Sequence, residues 1–150
     1  NLLLAYNEPM NLTARAHMMS AAMMGATAFQ KGLGAIHAIS HPIGAIYNTH
    51  HGTTNAVIMP DVLDFNRSKI EEQINSAANY LEIKDGFIGF KKYVLDLCCN
   101  LNIPKNLSEL GVNNPNIDLI TDIAMRDPSV AGNPIAMTKE NTREFIETLF

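Results

Sequence analysis

Gly34-Ala35-Ile36-His37-Ala38-Ile39-Ser40-His41-Pro42-Ile43-Gly44-Ala45-Ile46-Tyr47-Asn48-Thr49-His50-His51-Gly52 holds four of the chain's five histidines. The stretch is otherwise apolar and punctuated by glycine. It reads as a helix over residues 35–47 followed by a short turn. His37 and His41 are four apart, so on a helix they share a face, roughly 5–6 Å apart at Cβ. His50 and His51 follow after a short gap and are placed to fold back onto that face. Imidazole is the commonest side-chain ligand for a transition metal and the side chain best suited to move a proton near neutral pH. Chance clustering or satisfied buried histidines are the alternative, but four in one such segment favour chemistry. Pro42 conflicts with the helix: it lacks an N–H and disfavours helical geometry at His41. A kink is expected there, or a short helix whose polar backbone groups find other partners.

Helical spacing extends on both sides. Over residues 12–31, Leu12, Arg15, Met19, Ala22, Ala26 and Phe29 recur at helical intervals, with Asn11 as N-cap and Gly32 as stop. Met18, Met19, Met23 and Met24 are expected to fill a core rather than form an adaptable binding surface. Thr53 or Thr54 can cap a helix through Phe65, with Pro60 inside it. Ser68 can cap another through about Leu81, and a further helix should run from Gly86 to about Asn100. A short helix is expected over 117–126, a loop over 127–134, and a last helix over 139–149 capped by Thr138. No repeat, no low-complexity tract and no convincing alternating strand occurs. The fold class is all-α.

With 150 residues and 47% hydrophobic content the chain is about one domain, long enough to bury a real core. The net charge of −4 and scattered Lys and Arg argue against a nucleic-acid surface. Apolar runs fall short of the ~20 residues a membrane span needs, and no signal peptide is read at Asn1–Tyr6. Cys98 and Cys99 are the only cysteines and are expected to be small buried thiols in a reducing cytoplasm.

A histidine-built Zn(II) or Fe(II) site wants ring nitrogens about 2.0–2.1 Å from the ion, with an open position if it is to do chemistry. His37 and His51 can supply two ligands from different elements. His41 can ligate as well or act as a proton shuttle. Gly32, Gly34, Ala35, Ala38, Ser40, Gly44 and Ala45 allow close approach of backbone or a flat cofactor; tight helix packing explains any single glycine nearly as well. The chain has no His-Glu-x-x-His, no Glu-x-x-His, no Cys-x-x-Cys and no Gly-x-Gly-x-x-Gly.

Phe29-Gln30-Lys31-Gly32-Leu33-Gly34-Ala35-Ile36-His37, His41-Pro42-Ile43-Gly44-Ala45, Tyr47, His51-Gly52, Asn55-Ala56 and Pro60 closely resemble the signature of the iron-containing (group III) alcohol dehydrogenases. Ala14-Arg15 and Ala21-Ala22-Met23-Met24-Gly25 look like the helix before that signature. Asp127-Pro128-Ser129 with Gly132-Asn133-Pro134 looks like the family's C-terminal segment. The resemblance implies a helical bundle like the C-terminal domain of the dehydroquinate synthase-like and iron-containing alcohol dehydrogenases. It implies a divalent metal, Fe(II) or Zn(II), held in part by His37 and His51, with His41 beside substrate and nicotinamide. His50 stands where many members have proline and is a poor candidate ligand.

The resemblance further implies a small alcohol or aldehyde substrate, NAD or NADP as hydride carrier, and a homo-oligomer. The family's other two ligands, in an Asp-x3-His pattern, and its N-terminal nucleotide-binding domain have no counterpart before His37, where Thr13 precedes His17. The chain is therefore expected to be the C-terminal portion of a longer enzyme and inactive alone. The rival expectation is a non-catalytic helical interaction domain with a structural metal or none.

Overall fold

The computed structural model describes all 150 residues. It contains seven α-helices and two short 3-10 turns, with no strand, as the helical spacing predicts. No helix is long and apolar enough to cross a membrane. The chain divides into two compact units, Asn1–Gly32 and Leu33–Phe150.

The first unit pairs α1 (Leu2–Asn7) with α2 (Leu12–Ala28). Asn11 caps α2 by accepting from the Ala14 N–H, and Asn11 Nδ2 donates to Glu8. The helix tightens into a 3-10 turn over Phe29–Lys31. It stops at Gly32, whose φ of 102° suits glycine. The expected methionine core is not present. Met19, Met23 and Met24 are 75%, 66% and 68% exposed. Within this unit α2 has only the six-residue α1 to pack against, too little surface to cover apolar residues spread around a 17-residue helix.

The second unit is built on α3 (Ala35–Tyr47) and α4 (His51–Tyr80). Ala35, Ala38, Ile39, Pro42 and Ile43 form the buried stripe of α3, the i, i+3, i+4, i+7 spacing of a core-facing helix. Helix α3 runs through Pro42 without interruption. Thr54, Val57, Ile58, Val62 and Asn66 line the buried side of α4. Between the helices, Asn48 adopts the left-handed conformation at φ 54° and turns the chain.

Helix α4 departs from expectation twice. Its N-cap is His50, whose ring Nδ1 accepts from the Thr53 N–H, while Thr54 turns inward and bonds the Thr49 hydroxyl and the His50 carbonyl. The expected break near Phe65–Ser68 is absent. The Asn66 side chain reaches Asn133 instead of competing for its own backbone, and Arg67 pairs with Glu71 one turn on. Pro60 deprives the Ala56 carbonyl of its helical donor, and the Cys98 thiol from the next helix approaches that oxygen at 3.9 Å.

Helix α5 (Gly86–Asn100) lies on α4 with Phe87 buried beneath the Arg67 guanidinium, 4.8 Å from the ring centre. Cys98 is half-buried and Cys99 exposed, so the expectation of two buried thiols fails. Consecutive helical residues point about 100° apart, and only one can face α4. Helix α6 (Ile117–Ala124), a 3-10 turn over Pro128–Gly132 where a loop was expected, and α7 (Lys139–Glu147) complete the unit. Thr138 and Asn141 form a reciprocal capping box at the start of α7. Leu107, Val112, Ile120, Phe145, Ile146 and Leu149 close one core with the α3 and α4 stripes. Each such side chain contributes about 1.5–3 kcal/mol by leaving water.

Candidate metal and proton-transfer site

Because α3 stays helical through Pro42, His37 and His41 remain one turn apart on one face, with ring centres 5.6 Å apart. The turn at Asn48–His50 then brings the first residue of α4 back to that face. The His51 ring lies 5.3 Å from that of His37 and 5.4 Å from that of His41, stacked on the latter at 18°. His50 faces elsewhere, occupied with capping α4, and His17 lies on α2.

One turn into α4, Asn55 Nδ2 lies 3.1 Å from His51 Nε2 and 3.4 Å from His37 Nε2. Both imidazoles thus bring Nε2 to the same amide. Asn55 Oδ1 is buried without a hydrogen-bond partner. Burial, followed by the neighbouring His51 and His41, pulls the His37 pKa below its ordinary value, with Asp127 opposing. The neutral form, which is the ligand form, is thereby favoured. Two imidazole nitrogens converging on one point suit a borderline divalent ion such as Fe(II) or Zn(II). No group of three or more His, Cys, Asp or Glu side chains is arranged to hold an ion, so this chain offers a pair of donors.

His41 makes a different contact. Its Nδ1 lies 2.7 Å from Asp127 Oδ2. Asp127 Oδ1 caps the 3-10 turn by accepting from the Ser129 N–H at 2.8 Å. Burial pushes the Asp127 carboxyl up, but hydrogen bonds from Ser129 and His41 outweigh it and hold the pKa below the usual range.

That turn is pinned to both histidine-bearing helices. Asn133 Oδ1 accepts from the Ala35 N–H at 3.0 Å and from Asn66 Nδ2 at 2.9 Å. Asn133 Nδ2 donates to Asn66 Oδ1 and to the Ile135 carbonyl, each at 2.8 Å. Asn133 thus caps α3, whose own N-cap residue, Gly34, has no side chain. A Cβ on Gly34 would stand 2.8 Å from Asn133 Oδ1, and one on Gly132 would overlap the Leu33 carbonyl oxygen. These two glycines serve close packing of protein on protein, not approach of a cofactor.

The sequence reading identifies His37, His41 and His51, which the structure brings together. It assigns no role to Asp127, Asn55 or Asn133, although all three lie in segments that carry the family resemblance. An Asp-Pro-Ser triplet is a helix-cap signal, but its pairing with a histidine 86 residues earlier leaves no local trace.

The model of the Fe-containing alcohol dehydrogenase family, C-terminal, matches residues 1–150. The chain belongs to the iron-containing alcohol dehydrogenase family. It is 35% identical over 143 residues to a 4-hydroxybutyrate dehydrogenase of Cupriavidus necator, covering 89% of this chain and 37% of that protein. It is 31% identical over 124 residues to the lactaldehyde reductase of Escherichia coli K12, covering 78% and 32%. A crystal structure of 1,3-propanediol oxidoreductase superposes on all of this chain and on 41% of its own, with a TM-score of 0.92 and 26% identity. The chain thus spans well under half the length of the relatives it matches. The helical bundle implied by the signature is the fold observed.

Proposed function

We propose that this chain is the helical, metal-holding portion of an NAD(P)-dependent alcohol dehydrogenase that interconverts a small alcohol with its aldehyde or ketone. The observation that carries this reading is the convergence of the His37 and His51 Nε2 atoms beside His41, in the family's own signature. His37 and His51 would hold a divalent ion, Fe(II) or Zn(II). When bound, that ion supplies Lewis-acid polarisation of the substrate oxygen.

His41, 43% exposed at its side chain, is open enough to meet a reactant and exchanges the hydroxyl proton. The helical face of α3 holds His41 one turn from His37, so proton acceptor and metal ligand move as one rigid element. A separate nucleotide-binding domain would seat NAD or NADP, which would supply the hydride acceptor or donor. The remaining ligands, an Asp and a further His, would come from chain outside these residues. Without them this chain alone would be inactive. The relatives' names share small oxygenated substrates, and a small alcohol or aldehyde is the class proposed here.

A structural metal in a non-catalytic domain would call for four closed protein ligands; two donors fit an incomplete catalytic sphere better. The test uses the protein translated from the complete open reading frame, reconstituted anaerobically with Fe(II). Alcohol-dependent NAD(P)⁺ reduction that is lost in His37→Ala and in His51→Ala is expected. Full activity in either variant would overturn the assignment.

A further inference from the structure

We propose that Asp127 is a positioning residue for this chemistry: it holds the proton of His41 on Nδ1 and thereby leaves Nε2, across the ring, as the base that takes the substrate's hydroxyl proton. The inference rests on the dehydrogenase reading above and concerns a residue outside the histidine cluster.

The geometry supplies the argument. A carboxylate only accepts, so the 2.7 Å contact between Asp127 Oδ2 and His41 Nδ1 requires the hydrogen to sit on Nδ1. The distance is that of a charge-assisted bond, roughly 2.7–2.9 Å. A single-point contact fixes a ring only if the anchor is itself fixed, and Asp127 is. Its side chain is 12% exposed, its other oxygen is held by the Ser129 N–H, and Pro128 restricts the backbone between them. Six residues after Asp127, Asn133 fastens the same turn to the first residue of α3 and to Asn66 on α4. The carboxylate is therefore referenced to both helices that bear the histidines.

The three rings also divide their contacts. His37 and His51 present Nε2 to Asn55, whereas His41 is held at Nδ1 by Asp127. His41 keeps its ring exposed while its anchor is largely covered, the arrangement a reacting group and its support need.

The hydroxyl proton passes to His41 Nε2, and hydride leaves the same carbon for the nicotinamide of NAD(P)⁺. The products are a carbonyl, NAD(P)H and an imidazolium whose Nδ1–H stays on Asp127 until Nε2 returns its proton to water.

The test is the tautomer of His41, read by long-range ¹⁵N–¹H NMR on the complete protein after chelation, at about pH 8.5, where an ordinary imidazole is neutral. The expected spectrum has Nδ1 protonated and Nε2 bare in the unmodified chain, with the two nitrogens exchanging character in Asp127→Ala. A His41 with Nε2 protonated in the unmodified chain overturns the proposal even if Asp127→Ala fails to fold. So does a folded Asp127→Ala chain with unchanged His41 shifts. In the complete enzyme, Asp127→Ala should lower kcat about 10–100-fold with little change in KM, and Asp127→Glu should recover part of the loss. Unchanged kcat also overturns it. Titration of the same sample with Zn(II) reads the function separately. Failure of His37 and His51 to shift counts against the metal assignment and leaves the tautomer result standing.

Discussion

Removing the Asn133 side chain should cost more stability than any surface substitution and should do so through identifiable groups. In Asn133→Ala, the Ala35 N–H loses its acceptor at a residue that is 1% exposed, and the Asn66 amide, 4% exposed, loses its reciprocal partner. Each buried polar group left without a partner costs roughly 1–3 kcal/mol. Two such groups put the loss at about 4 kcal/mol. For a chain of this length that lowers Tm by roughly 8–16 °C.

The assay is urea and thermal unfolding followed by far-UV circular dichroism on Asn133→Ala, Asn66→Ala and the double variant. The Asn66 amide is stranded in the first and gone in the third. The double variant should therefore cost less than the two singles combined, by about 1–3 kcal/mol. Strict additivity, or an Asn133→Ala chain within about 1 kcal/mol of the parent, would refute the network as described.

Gly132→Ala should destabilise by about 1–3 kcal/mol, because the new methyl overlaps the Leu33 carbonyl; an unchanged melting curve would show that the turn can move aside. Asp61 has its pKa raised by burial, with Asp64 adding and Lys91 opposing. Because the folded value exceeds the unfolded one, its contribution to stability is full below the ordinary carboxylate range and is lost as pH rises through the folded value. Asp61→Asn should accordingly be more stable than the parent at neutral pH, with the advantage gone near about pH 3. A lower urea midpoint for Asp61→Asn at neutral pH would reverse the sign.

Helices α3, α5 and α7 were legible because local signals marked them. Helix α3 fills a compact apolar segment, α5 starts at Gly86 after a turn, and Thr138 announces α7. The end of α4 near Leu81 was legible, but its cap and its continuity were not. Thr53, Thr54 and Ser68 are all competent caps by composition, but the acceptor in use is the His50 imidazole, and Ser68 lies within an unbroken helix. Asn66 lies between the expected helix end at Phe65 and the expected cap at Ser68, and its amide bonds Asn133, 67 residues away.

The methionines of α2 looked like core because apolar content was counted without knowing what packs on that helix. At the site, three histidines could be named from spacing and signature alone. Asp127, Asn55 and Asn133 could not be assigned roles, since each acts through a contact between different helices or loops.

The most direct test of the central claim, that His37 and His51 are metal ligands, is a Co(II) titration of the chelated chain, monitored by its visible ligand-field bands. Weak one-to-one binding, too weak to survive dialysis, is expected, because two neutral imidazoles supply neither a full coordination sphere nor compensating charge. Binding should disappear in His37→Ala and in His51→Ala and persist in His50→Ala and His17→Ala. Binding of the same strength in His37→Ala or His51→Ala would contradict that claim.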